Sequence, residues 1–230
     1  MDQNVLTCYQ SQHNKVRIGR DNDGGYVICE LPNVKYGCLL SGGIKDDISF
    51  EEDCLKKYPY LKCYAFDGTI NSINTDFKNI FFTKKNIGNK DNETNLHNII
   101  NSHENIFVKM DIEGSEVEWI STLDDNHLKK FAQIVIEIHY PNKLRHKNMF
   151  DKLNKHHLLV HIHANNWEKK IDKINGIIIP NVFECTYVNK NFLKEPYHLN
   201  TSKIPSNIDQ PNCKDRPDIK MNYPPFFHKL

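Results

Sequence analysis

Four charged residues stand on two apolar runs: Lys109 and Asp111 on Ile106–Ile112, and Glu137 and His139 on Ile134–His139. Side chains alternate faces along a strand with a period of 2, so each pair shares a face. Lys109 and Glu137 fall inside their runs, where a buried charge requires a partner, and the simplest expectation is that they neutralise each other. Asp111 and His139 fall at the carboxyl ends. A histidine there is matched to neutral pH and can take the proton of a weak nucleophile such as an alcohol. His139 is therefore the candidate base and Asp111 the group that orients it or positions the ligands; the plainer alternative is a structural histidine at a strand end. Glu113 follows in the turn and is assigned to the acceptor side of the site, whereas Glu116 is expected only to favour a helix N-terminus through its charge. His163, Asn165 and Asn166 close a later apolar run and are expected to hydrogen-bond acceptor hydroxyls. His161 shares a face with His163, so half of a metal site is the competing reading there and a polar turn the plainest one.

A second set of residues has the spacing of a nucleoside site. Ser41-Gly42-Gly43 ends one apolar run, and Asp67 ends the next, 24 residues beyond Gly43. Glycine lets a backbone approach a ligand closely, and an acid at the following strand end is placed to accept from two ribose hydroxyls. A G-x-G-x-x-G turn does not occur at Ser41–Asp46, and no G-x-x-x-x-G-K-[ST] phosphate loop occurs anywhere. Without a phosphate cradle the spacing favours a nucleoside that carries no phosphate, of which S-adenosylmethionine is the commonest. Ser41, Gly42, Gly43, Asp67, Gly68, Asn86 and Asp111 are the residues expected around it.

The elements that must position these groups alternate in type. Strand-like runs occur at Tyr36–Leu40, Lys62–Phe66, Ile80–Thr83, Ile106–Ile112, Ile134–His139, His157–His163 and Val182–Val188. Helical spacing occurs at Ile48–Tyr58, Thr94–Ile100, Ser115–Leu123 and Lys143–His156. Strands that alternate with helices indicate an α/β fold with a mainly parallel sheet, whose ligands bind outside the carboxyl ends of the strands. Asp23-Gly24-Gly25 marks a turn before the β-prone Tyr26-Val27-Ile28. The chain divides into an N-terminal cap segment, 1–35, a central domain, 36–191, and a tail, 192–230. Six prolines break the tail, but interspersed residues such as Tyr197, Ile204 and Phe226 favour a tail docked on the domain over a free one.

Composition sets the outer bounds. Thirty basic residues against 29 acidic ones give a formal charge of +1, which argues against holding nucleic acid or an anionic membrane by bulk charge. With 39% hydrophobic residues there is material for a core, and no apolar run is long enough to span a bilayer. The polar start, Met1-Asp2-Gln3-Asn4, does not read as a secretory signal. Seven cysteines, an odd number with no Cys-x-x-Cys pair, read as reduced, mostly buried thiols. The expectation is a soluble, cytoplasmic protein with a small-molecule or glycan acceptor.

Three segments together resemble the FkbM-type class I methyltransferases and their relatives. They are Ser41–Glu51, Ala65-Phe66-Asp67-Gly68-Thr69 and the K-x-D-x-E-G-x-E run from Lys109 to Glu116, inside a similarity from about Arg17 to Val188. This chain departs from the pattern at the first segment, where a fuller G-x-G-x-G is often found. The resemblance implies a Rossmann-like, mostly parallel seven-stranded sheet with helices on both faces and an antiparallel last strand. It also implies methyl transfer from S-adenosylmethionine, often to hydroxyls of sugars or sugar-bearing metabolites. Relatives that depend on a metal place carboxylates at the ends of the fourth and fifth strands, so Mg²⁺, if present, is implied at Asp111, Glu137 and His139. An N-methyltransferase of a protein or amine is a second reading, though its usual Asn-Pro-Pro-Tyr or Asp-Pro-Pro-Tyr motif is missing at Asp111–Gly114. A catalytically silent binding module is a third, opposed by the joint presence of Gly42, Gly43, Asp67, Asp111 and His139.

Overall fold

Five of the strand-forming runs pair in parallel, and the last one runs against them. In the computed structural model, which describes residues 3–141, 144–168, 171–174 and 177–229, the chain begins with a hairpin of β1 (Lys15–Ile18) and β2 (Tyr26–Cys29). The central sheet contains β3 (Leu39–Gly42), β4 (Cys63–Phe66), β5 (Ile80–Thr83), β6 (Ile106–Met110), β7 (Phe131–His139), β8 (His157–Ala164) and β11 (Val182–Asn189). Its order is β5-β4-β3-β6-β7-β11-β8. The pairs β3–β4, β4–β5, β3–β6 and β6–β7 are parallel, and β11 lies antiparallel between β7 and β8. This is a Rossmann-like sheet with an antiparallel last strand. Strand order reverses between β3 and β6, the place where open α/β sheets bind ligands.

Helices α1 (Ser49–Lys57), α2 (His97–Ser102), α3 (Glu116–Thr122), α4 (Asp125–Lys129) and α5 (Leu144–His156) connect the strands. Residue 143, the expected start of the last helix, lies outside the described residues. β3 begins three residues after the expected Tyr36. Neither α4 nor the hairpin of β9 (Ile171–Ile174) and β10 (Ile177–Pro180) has a counterpart among the runs read from the sequence.

The two faces of the sheet differ. One is apolar: Val108, Met110, Ile134, Ile136, Phe183 and Tyr187 pack with Trp119 and Ile120 of α3 and Phe150 and Leu153 of α5. The opposite face carries α1 near β3 and β4, but along β7, β11 and β8 it presents the buried polar residues Gln133, Glu137, His161, His163, Glu184 and Thr186. These are covered by the β1–β2 hairpin and the tail. Gln133 exchanges hydrogen bonds with the Cys29 backbone (2.6 and 3.2 Å), and Thr186 donates to Val27 O (2.5 Å). From the tail, Asp209 meets His161 at 2.8 Å and Asp218 meets His163 at 3.0 Å, while Ile204, Met221 and Phe226 are buried in the apolar core. All seven cysteines are buried and free. No helix among the described residues is long and apolar enough to cross a membrane.

Candidate functional site

The three loops that leave β3, β4 and β6 are stitched together by main-chain bonds. Gly43 N–H donates to Phe66 O (3.0 Å), and Asp111 N–H donates to Gly42 O (3.0 Å). Gly43 has φ +72°, and a Cβ there would stand 1.5 Å from Asp111 O, so this position admits only glycine. Gly42 is enclosed as well: a Cβ would lie 2.4 Å from Ile87 and 2.6 Å from Met110 Sδ. Between the loops opens a cleft of about 320 Å³ lined by Gly43, Lys45, Asp67, Asn86, Asp111 and Glu113 among others. It sits at the reversal of strand order.

Asp67 is set for a charged role at this cleft. Its Oδ1 accepts from Thr69 N–H (2.7 Å) and Thr69 Oγ1 (2.5 Å), and its Oδ2 accepts from Lys45 N–H (2.8 Å). Burial alone would raise its pKa, but these bonds outweigh it and hold the carboxyl below the ordinary value. Asn86, which lines the cleft, accepts from Gly68 N–H through Oδ1 (3.0 Å). Ser41 is different from expectation. It is fully buried and its hydroxyl donates to Glu51, so its side chain is turned into the α1 packing and does not line the cleft. Gly42 and Gly68 support neighbouring loops in the same indirect way.

Beside the cleft lies the acidic cluster. One donor atom each from Asp111, Glu137 and His139 falls within 4.8 Å of the others. Asp111 Oδ2 accepts from Tyr26 Oη (3.0 Å), and Asp111 Oδ1 is buried with no hydrogen-bond partner among the described residues. Glu137 Oε1 accepts from Asn165 Nδ2 (2.7 Å). Burial, and then the charges of Asp111 and Glu184, push the Glu137 carboxyl well above the usual carboxylate range.

His139 Nδ1 lies 3.2 Å from Glu116 Oε1, and its Nε2 lies 3.5 Å from Glu113 Oε2. Burial would lower the imidazole pKa, but Glu116, Asp111 and Glu113 raise it above the ordinary value. Glu116 does more than charge a helix end. It is buried, and its Oε1 also accepts from Ile112 N–H (3.0 Å) and Gly114 N–H (3.2 Å), which fixes the β6–α3 turn.

Other expectations need correction. Lys109 and Glu137 do not neutralise each other: Lys109 Nζ donates to Gly43 O (2.9 Å) and lies 5.4 Å from the Tyr26 ring centre. The reason is register, since Lys109 pairs with Val135 and not with residue 137. His163 and Asn166 are committed to the tail. His163 is bonded to Asp218, and Asn166 Nδ2 donates to Cys213 O (3.0 Å) and Arg216 O (3.1 Å) while its Oδ1 accepts from Cys213 N–H (2.7 Å). Only Asn165 of that trio reaches the cluster. Two participants escape the sequence reading. Tyr26 follows a glycine turn that signals only a turn, and Lys45 stands just past the glycines that dominate its segment.

No protein-family model matches the chain, and no curated protein sequence does. Solved structures that resemble it include the following three. A fibrillarin/Nop5p complex gives 8% identity over 66% of this chain and 72% of that one, with a TM-score of 0.41. A putative ribosomal RNA methyltransferase from Plasmodium falciparum gives 15% identity over 68% and 87%, with a TM-score of 0.37. The precorrin-6y C5,15-methyltransferase of Geobacter metallireducens gives 10% identity over 69% and 83%, with a TM-score of 0.35. The strand order described above, and not these likenesses, carries the fold assignment.

Proposed function

We propose that the chain is an S-adenosylmethionine-dependent O-methyltransferase acting on a hydroxyl of a sugar, glycan or sugar-bearing metabolite. One observation carries the reading: a single cleft at the strand-order reversal has Asp67 on one side and Asp111 and Glu113 on the other, with His139 Nε2 3.5 Å from Glu113 Oε2 behind that wall. The cleft's chemistry fits the cofactor. Asp67 is held ionised where ribose hydroxyls would donate, and Gly43, where a Cβ would strike Asp111 O, lets the β3 and β6 loops close together beside it. When bound, S-adenosylmethionine supplies a methyl group activated by its sulfonium.

The chain's own residues then have separable tasks. His139 takes the acceptor hydroxyl proton at Nε2. Glu116, buried and fixed by two backbone N–H groups, stands 3.2 Å from Nδ1 and balances the imidazolium that forms. Tyr26 and Asn165 lock Asp111 and Glu137, so the cluster does not reorganise as charge moves.

A second reading, favoured by the orphaned Asp111 Oδ1, places Mg²⁺ on Asp111, Glu137 and His139. It would supply Lewis acidity toward an acceptor hydroxyl. The test of the proposal is thermal melting with and without S-adenosylhomocysteine, followed by methyl transfer from labelled cofactor to nucleotide sugars and glycans. A native-state ligand must raise the midpoint. An unmoved midpoint at saturating ligand refutes the proposal.

A further inference from the structure

Lys109 is buried, and its charge needs a partner that Glu137 does not supply. The partner comes from α1. Lys109 stands level with Ser41 of β3, so the two side chains share a face of the sheet. Ser41 donates to Glu51, which is fully buried on α1. Burial raises the Glu51 carboxyl above its ordinary value, and the Lys109 ammonium is the strongest influence against that rise. Three elements, α1, β3 and β6, thus meet around one buried pair of opposite charges.

The same ammonium reaches the glycine turn, where Nζ donates to Gly43 O at 2.9 Å. Within the turn, Gly43 N–H donates to Phe66 O (3.0 Å) and Asp47 N–H to Ile44 O (3.0 Å). Lys45 N–H donates to Asp67 Oδ2 (2.8 Å), so the shape of the turn is handed on to that carboxylate. Gly43 and Lys45 both stand at positive φ, +72° and +44°. Outside glycine such a conformation is strained and persists only where neighbouring bonds fix it. Packing does little of that work here. The 320 Å³ cleft borders both residues, and so does a second pocket of about 70 Å³ lined by Tyr26, Phe50, Lys109 and Asp111 among others. A turn bordered by two open spaces is held by its hydrogen bonds.

We infer that Lys109, neutralised by Glu51, is a positioning residue: it holds the glycine turn in the conformation that presents the Lys45 N–H to Asp67. Neither charge touches a ligand. Their effect on the ribose passes through Asp67, and that part of the inference rests on the proposed function. The turn itself is set whether or not a ligand is bound.

Two measurements on the full chain test this. The first is amide hydrogen exchange without ligand. In Lys109→Met, exchange of the Lys45 amide should speed up about tenfold more than that of Leu39, whose amide donates to Lys62 O (2.9 Å) at the start of β3. A merely structural role would speed both in step. The second is calorimetric titration with S-adenosylhomocysteine in a double-mutant cycle. Lys109→Met should weaken binding about tenfold in the wild type and less than about twofold in Asp67→Ala, because the lysine acts through that carboxylate. Where Lys109→Met does not fold, Lys109→Met combined with Glu51→Gln, which strands no single buried charge, serves for both measurements. Exchange at Lys45 that is unchanged, or that rises only in step with Leu39, overturns the positioning role, and so do equal affinity losses in both backgrounds. Failure of the wild type to bind S-adenosylhomocysteine overturns the proposed function instead, and the exchange result still decides whether Lys109 sets the turn.

Discussion

Replacing Asp218 by asparagine should loosen the tail in a pH-dependent way, and the size can be worked from His163. The imidazole is buried, with Nε2 3.0 and 3.1 Å from the Asp218 carboxylate and Nδ1 3.7 Å from Glu184. Burial alone would lower its pKa, but the bonds to Asp218 and Glu184 raise it from 6.5 to about 10. The folded value lies above the unfolded one, so the contribution is complete below pH 6.5 and is lost as pH rises through about 10. By linkage it stabilises the fold by about 4 kcal/mol at pH 7 and by less than about 1 kcal/mol at pH 10. The amide of Asp218→Asn would keep the shape and remove the nearer charge, leaving Glu184. A loss of about 2–3 kcal/mol is expected at pH 7, with most of it gone at pH 10. Urea unfolding of wild type and Asp218→Asn at both pH values measures it, and comparison within each pH cancels the titration of other groups. Asp218 Oδ1 also accepts from Ile219 N–H at 2.8 Å, a bond that does not depend on pH in this range. An equal loss at pH 7 and pH 10 would mean that only such packing and neutral bonding matter, and the charge argument would fall.

Two further outcomes concern the cleft. Asp67→Ala should weaken S-adenosylhomocysteine binding by more than about tenfold, since a charge-assisted bond contributes roughly 1.5–3 kcal/mol; calorimetry that finds unchanged affinity removes Asp67 from the site. His139→Ala should lower kcat by roughly 10²–10⁴-fold with cofactor affinity nearly constant, and chelator should leave the wild type unaffected. If chelator abolishes turnover and added Mg²⁺ restores it, the metal reading replaces the base. If His139→Ala keeps wild-type kcat and chelator is inert, both mechanisms fail and alignment alone does the work.

What could be read from the sequence divides by range. The period of 2 puts Asp111 and His139 at the carboxyl ends of their runs, at or just past the ends of β6 and β7, and Glu137 inside its run, because alternation is local. It cannot say which residue of β6 stands level with which of β7. Lys109 is level with Val135 and Met110 with Ile136, so the next residue, Asp111, comes level with Glu137. That offset replaces an expected lysine–glutamate pair by a carboxyl pair, with Tyr26 and Asn165 as its supports. The same holds for His161 and His163. Their shared face is legible, whereas their partners, Asp209 and Asp218, lie 48 and 55 residues away in a proline-broken segment with no period to read.

The polar face explains why that segment is irregular. A helix laid on a sheet offers it side chains, since its own backbone groups are spent within the helix. The buried groups on β7, β11 and β8 require backbone partners. Asn166 binds main-chain atoms of Cys213 and Arg216, Thr186 a carbonyl of β2, and Gln133 both backbone groups of Cys29. An extended hairpin and a non-helical tail can supply these, as well as carboxylates at Asp209 and Asp218 for the two histidines. The row continues from His163 through Glu184 to Glu137 in register, and Glu137 adjoins Asp111 at the cleft. The tail is thus bonded to one end of a buried polar row whose other end is the candidate site. For that reason Asp218→Asn should also be assayed for S-adenosylhomocysteine binding. Unchanged affinity alongside the predicted stability loss would confine the tail's role to holding the fold, and a parallel drop would show that the row transmits its order to the cleft.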